Sequence, residues 1–244
     1  MSQTTSSCEL RDALSEPGCP ICRLKTSTAK RYLDGLLWES VNDPGVRDRL
    51  RRSQGFCHEH GWDLVWPGAS LGVAILMRDV LTDVLTAVEG AHFSALPALS
   101  LRRVRESLVT CQSSAATADL VHLLTPKARC PACIKVEQME DIYLNTLVDH
   151  LLGEDGLLTP YEASDGLCLP HFRQALSHVR DEAVFEAIVG AQQAIWQRLT
   201  DQLSEAIRKS DYRFRDEPAG DESGAWLRGI AALSGARATG RTSV

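Results

Sequence analysis

Six cysteines and two histidines carry the chemistry of this chain, in two copies of one pattern. Cys19-Pro20-Ile21-Cys22 is followed by Cys57-His58-Glu59-His60, and Cys130-Pro131-Ala132-Cys133 is followed by Cys168-Leu169-Pro170-His171. In each copy thirty-four residues separate the C-x-x-C from the C-x-x-H, and one constant offset carries Cys19 to Cys130, Cys22 to Cys133, Cys57 to Cys168 and His60 to His171. Thiolate and imidazole are the donors that zinc prefers, and three cysteines with one histidine make a closed tetrahedral set for a structural ion. A C-x-x-C brings two thiolates within one turn of backbone, and a pair from elsewhere fills the shell. Cys19, Cys22, Cys57 and His60 are therefore the candidate ligands of one Zn2+. Cys130, Cys133, Cys168 and His171 are those of a second. His58 competes with His60, but the register sets His58 opposite Leu169 and His60 opposite His171, which selects His60. Six of the eight cysteines stand in register, which argues against unrelated buried thiols.

The elements that would position these ligands read as helices. Ile21, Leu24, Tyr32, Leu33, Leu36 and Leu37 recur at helical spacing from Pro20 to about Val41, with Pro20 in the tolerated first turn. Asn42-Asp43-Pro44-Gly45 is a turn, and a short basic helix with Arg47, Arg49, Arg51 and Arg52 runs to Gly55. The C-x-x-H opens a helix through Trp62 and Trp66, which Pro67-Gly68 stops. Longer helices are predicted over 69–93, 98–124 and 180–210, and the second copy repeats the outline of the first. Sustained period-two alternation is absent, so almost no sheet is expected. A helix of about twenty residues rises roughly 30 Å. With a turn midway, thirty-four residues are expected to return Cys57 and His60 beside Cys19 and Cys22, so that the metal staples the base of a helical hairpin.

The fold class expected is all-α: an internally duplicated helical bundle of two equivalent halves, each stapled by a Cys3His site. The halves would cover residues 16–110 and 111–214 and pack about a pseudo-twofold axis over one continuous core. An N-terminal segment, 1–15, is weakly helical. After Asp216 the chain becomes a polar, acidic linker, then Trp226, Leu227, Ile230 and Leu233 recur at helical spacing, and 237–244 reads as disordered. That last helix either docks on the core or offers its stripe to a partner; docking is the expectation.

Composition narrows the function classes. No apolar run reaches the roughly 18 residues of a membrane span, and the N-terminus lacks a basic-then-apolar secretory pattern. C-x-x-C cysteines without such a signal suggest reduced thiols in a cytoplasm. The chain carries 32 acidic and 26 basic side chains, and the excess of acid lies after residue 110. Wrapping of nucleic acid is thereby disfavoured, although the Arg47–Arg52 cluster and Arg102, Arg103 and Arg105 are local basic patches. Glu89 with His92, and Asp119 with His122, share helical faces as in di-iron sites, but the further carboxylates cannot be assigned. Cys8 and Cys111 fall outside the register and read as ordinary thiols. No phosphate loop, dinucleotide fingerprint or H-E-x-x-H is present, and a filled Cys3His shell leaves no position for catalytic water. The leading expectation is a non-catalytic interaction or regulatory protein with two structural zinc ions. An iron–sulfur or other redox protein built on the same ligands is the alternative, and a nucleic-acid regulator comes third.

The paired C-P-x-C…C-x-x-H pattern, with F-C-H-E-H-G-W in the first copy and L-C-L-P-H-F in the second, resembles a bacterial family of helical proteins classed only as a domain of unknown function. The resemblance spans about residues 16–236. It implies two metal sites and a cytoplasmic bacterial setting, and it implies no activity.

Overall fold

Local signals explain where the helices begin. Asp43 caps the helix at Pro44 by accepting a 2.7 Å hydrogen bond from the Val46 amide, and Asp181 does the same for Val184 at 3.1 Å. Proline opens the helices after Cys19 and Cys130, where its missing N–H is no loss. The computed structural model describes residues 5–91, 115–214 and 217–236. Its helices are α1 (Thr5–Leu14), α2 (Pro20–Glu39), α3 (Pro44–Arg52), α4 (His58–Trp62), α5 (Ser70–Glu89) and α6 (Ala115–Leu123). They continue as α7 (Pro131–Asp149), α8 (Leu158–Ala163), α9 (Leu169–His178), α10 (Glu182–Lys209) and α11 (Ala225–Ser234), with 3-10 turns at Tyr212–Phe214 and Asp221–Gly224. The described residues contain no strand, as the sequence pattern requires.

The chain divides into two compact units, and they are not the two consecutive halves expected from the register. One unit combines the residues up to Lys30 with Lys135–Thr239; the other is built on Arg31–Ile134. The boundaries therefore fall inside helices α2 and α7. In the first unit a single core joins Leu10 and Leu14 of α1, Ile21 and Leu24 of α2, and Tyr143, Leu144 and Leu147 of α7 with Leu151, Tyr161, Phe172, Ile188 and Ile195. Segment 1–15 is thus core in part, with Leu10 and Leu14 buried. In the second unit Leu36, Val46, Leu50, Leu76 and Val80 form one cluster, and Leu33, Leu64 and Ala132 another. The core is divided, not continuous.

The second unit also accounts for part of the basic cluster. Arg47 of α3 pairs with Asp79 of α5, and Arg51 reaches Asp83 at 4.0 Å. Two of the four arginines are matched to acids one helical turn apart, which lowers the cluster's net charge. Arg102, Arg103, Arg105, His92 and Cys111 lie outside the described residues.

Helix α11 packs on α10 through its small residues. Ala225 is buried, Gly229 sits against Leu203, and Arg228 donates to Gln202 at 2.9 Å. The opposite stripe stays out: Trp226, Ile230 and Leu233 are each more than half exposed.

Candidate metal centres

The eight predicted ligands meet in two groups of four, but the partners are exchanged between copies. Cys19 and Cys22 meet Cys168 and His171, while Cys130 and Cys133 meet Cys57 and His60. The hairpin staple expected from the thirty-four-residue spacing is therefore incorrect. Helix lengths supply the reason. Helix α2 has 20 residues and rises about 30 Å, whereas α3 has 9 and rises about 13 Å. The returning segment covers less than half of α2, so Phe56 packs with Leu36 and Leu50, near the C-terminal end of α2. Cys57 follows immediately and joins Cys130 and Cys133, not Cys19 and Cys22. In the second copy α7 has 19 residues and α8 only 6, so the return is shorter still.

Every ligand sits at a helix start. Cys19 and Cys130 immediately precede α2 and α7, and Cys22 and Cys133 lie in the first turn. Cys57 and Cys168 are the N-caps of α4 and α9, both extended, and neither sulfur caps its own helix. Helix N-termini favour negative charge, so this placement suits thiolates. Gly55 and Gly166, each two residues before the C-x-x-H cysteine, have φ of +93° and +66°. They turn the chain into that cap in a region that other residues seldom adopt.

The donor atoms fit one tetrahedral ion. In both groups they lie within 4.8 Å of one another. With Zn–S of about 2.3 Å and Zn–N of about 2.05 Å, a tetrahedron needs S···S near ~3.8 Å and N···S near ~3.6 Å. The Cys22 and Cys168 sulfurs are 3.8 Å apart, and those of Cys57 and Cys133 are 3.6 Å apart. His171 presents Nδ1 to Cys19 and Cys22 at 3.4 Å each and to Cys168 at 3.0 Å. His60 Nδ1 stands 3.2, 3.4 and 3.8 Å from Cys57, Cys133 and Cys130. The cysteines are free thiols, and these sulfurs are far outside the ~2.05 Å of a disulfide.

Electrostatics point the same way. In the first group, hydrogen bonds from Cys168 and Cys19 pull Cys22 far down, against the effect of burial, while burial and both neighbours push Cys19 well above a normal thiol. Burial works against protonation of His171, but its bonds to Cys168, Cys22 and Glu140 prevail and raise it to about 11. In the second group the Cys130 bond raises His60 to about 9, over the opposing effect of burial. Burial pushes Cys130 up, but the His60 bond and backbone amides bring it to about 6; burial and the Cys57 bond drive Cys133 up to about 12. Metal-free, each group thus shares its protons unequally, as close thiols must. A divalent cation would relieve that repulsion for three thiolates at once.

One contributor lies outside the ligand motifs. Glu140 of α7 accepts from His171 Nε2 at 3.0 Å and pairs with Lys25 Nζ at 2.8 Å. Burial opposes ionisation of this carboxyl, but His171 and Lys25 hold it below its usual value. Asp119 and His122 are exposed and join neither group.

The chain belongs to the family of unknown function DUF6062, whose profile matches residues 1–239. It is similar to an uncharacterized 23.9 kDa protein in the xynA 3' region of Caldicellulosiruptor sp. (strain Rt8B.4). The two are 24% identical over 221 residues, which is 90% of this chain and 96% of that protein. No solved structure matches the chain.

Proposed function

We propose that this member of the DUF6062 family holds two zinc ions in crossed Cys3His sites and acts as a non-catalytic protein-interaction or regulatory module. One observation carries the metal assignment: in each group three sulfurs lie within 3.0–3.8 Å of a single imidazole Nδ1. That compactness supports a single ion over an iron–sulfur cluster, which distributes its ligands over several irons. A mononuclear iron centre uses the same donors and is the reading to separate from zinc.

Closed shells of this kind support a role in architecture, because four protein donors leave no place for substrate or water. The exposed stripe of Trp226, Ile230 and Leu233 supports a protein partner, since large apolar side chains on one helix face favour association. The free thiols favour a reducing cytoplasm, and among the described residues no helix is long and apolar enough to cross a membrane.

Elemental analysis with an absorption spectrum on protein purified without oxygen tests the reading. Two zinc ions per chain without visible absorption is the expected result. Iron with sulfide and a visible band would replace it with the redox alternative.

A further inference from the structure

The two groups share a donor set but not a setting. At the first, Glu140 accepts from the His171 Nε2–H while Lys25 holds its other oxygen, and both His171 and Glu140 side chains are only 6% exposed. A carboxylate behind a liganding imidazole fixes the ring and makes it a better donor. The same group is covered from another side by the chain that follows α11. The Ala236 amide donates to Cys22 Sγ at 3.4 Å, and a Cβ at Gly235 would lie 3.6 Å from Cys22 Sγ and 3.9 Å from Cys168 Sγ. A cavity of about 440 Å³ beside α11 touches Cys19 and Cys168, yet these residues are only 8% and 1% exposed.

At the second group His60 meets sulfurs and, among the described residues, no carboxylate. Cys57, Cys130 and Cys133 are all half-buried, whereas in the first group only Cys22 is. In the sequence register Ala29 corresponds to Glu140, and Val136 to Lys25, both apolar and buried. Where one group has a buried carboxylate, held by a part-exposed lysine, behind its imidazole, the corresponding sequence positions are aliphatic.

We infer that the two zinc ions are held unequally: the Cys19/Cys22/Cys168/His171 ion is permanent, with Glu140 as its positioning residue, and the Cys57/His60/Cys130/Cys133 ion is the one exchanged with outside zinc acceptors. The inference rests on the zinc reading above. Loss of such a carboxylate partner typically weakens metal binding by about 10–100-fold. At equal association rates the second ion therefore leaves about 10-fold faster than the first.

The test is zinc release from the full chain loaded with two ions, using excess EDTA as acceptor and the colour of cobalt-substituted protein as a second signal. Two phases of one ion each are expected. Cys133→Ser removes the fast phase and keeps the slow one. Glu140→Ala accelerates the slow phase and shifts the cobalt spectrum of that site, and Glu140→Gln, which retains an acceptor oxygen, restores part of both. A single phase for both ions, or a fast phase that survives Cys133→Ser, would overturn the inequality while leaving the zinc reading intact. Protein that takes up no metal would overturn both. Cys133→Ser does not touch the Glu140 site, so the assignment stays testable even if the Glu140 variants fail to fold.

Discussion

The sulfurs of Cys22 and Cys168 lie 3.8 Å apart although 146 residues separate them in the chain. This contact decides how the fold is tied. Each Cys3His cluster joins the start of one C-x-x-C helix to the C-x-x-H of the other motif pair, so neither pair holds a complete cluster. The consecutive stretch from Cys19 to His60 holds four donors, but two belong to each group.

Helix α1 is bound into this scheme through Leu10 and Leu14, which pack in the core that supports Cys19 and Cys168. Leu14→Ala should cost about 2–5 kcal/mol, the usual range for a buried leucine. Denaturant unfolding measures it, and the metal-loaded variant should keep its ions. A stability equal to wild type would show that α1 is not part of the core.

The turn that leads into α11 depends on a carboxylate. Lys209 pairs with Glu222 at 2.8 Å, the Gly220 amide adds a bond at 2.9 Å, and together they lower the Glu222 carboxyl to about 2. An unfolded glutamate titrates near ~4.3, so this contact contributes fully above that pH and is lost as pH falls through about 2. Trp226 fluorescence should show a transition in this window that Glu222→Gln lacks, at equal metal content. Identical acid profiles for both proteins would contradict the anchoring role.

Gly235 ends α11 with φ +87° and ψ 163°, a conformation nearly confined to glycine. Gly235→Ala should cost about 1–3 kcal/mol in that conformation. The strain falls where the chain meets Cys22 and Cys168, so the first ion should become more accessible. Faster zinc loss to EDTA in the slow phase is the expected readout; an unchanged rate would show that this contact does not protect the site.

Much of this was legible from residue types. The eight residues that cluster, with His60 among them and not His58, the all-helical class and the helix start at Pro20 follow from spacing and turn chemistry. The pairing of donors did not, because it depends on how far α3 carries the chain back along α2. A nine-residue helix and a twenty-residue helix look alike in a ligand motif, and only their difference in rise excludes the local site. Glu140 was silent for another reason. It is one of four acidic residues on α7, with Glu137, Asp141 and Asp149, and its sole trace is the departure from Ala29 in the sequence register.

The exchange of partners between copies is the central claim, and metal content of paired variants tests it most directly. Cys22→Ser with Cys168→Ser damages one site if the groups are crossed, and that protein should retain one zinc ion per chain. Cys22→Ser with Cys57→Ser damages both and should retain none. If each copy instead held its own ion, the two results would be interchanged: the Cys22/Cys57 double variant would keep one ion, and the Cys22/Cys168 variant would keep none.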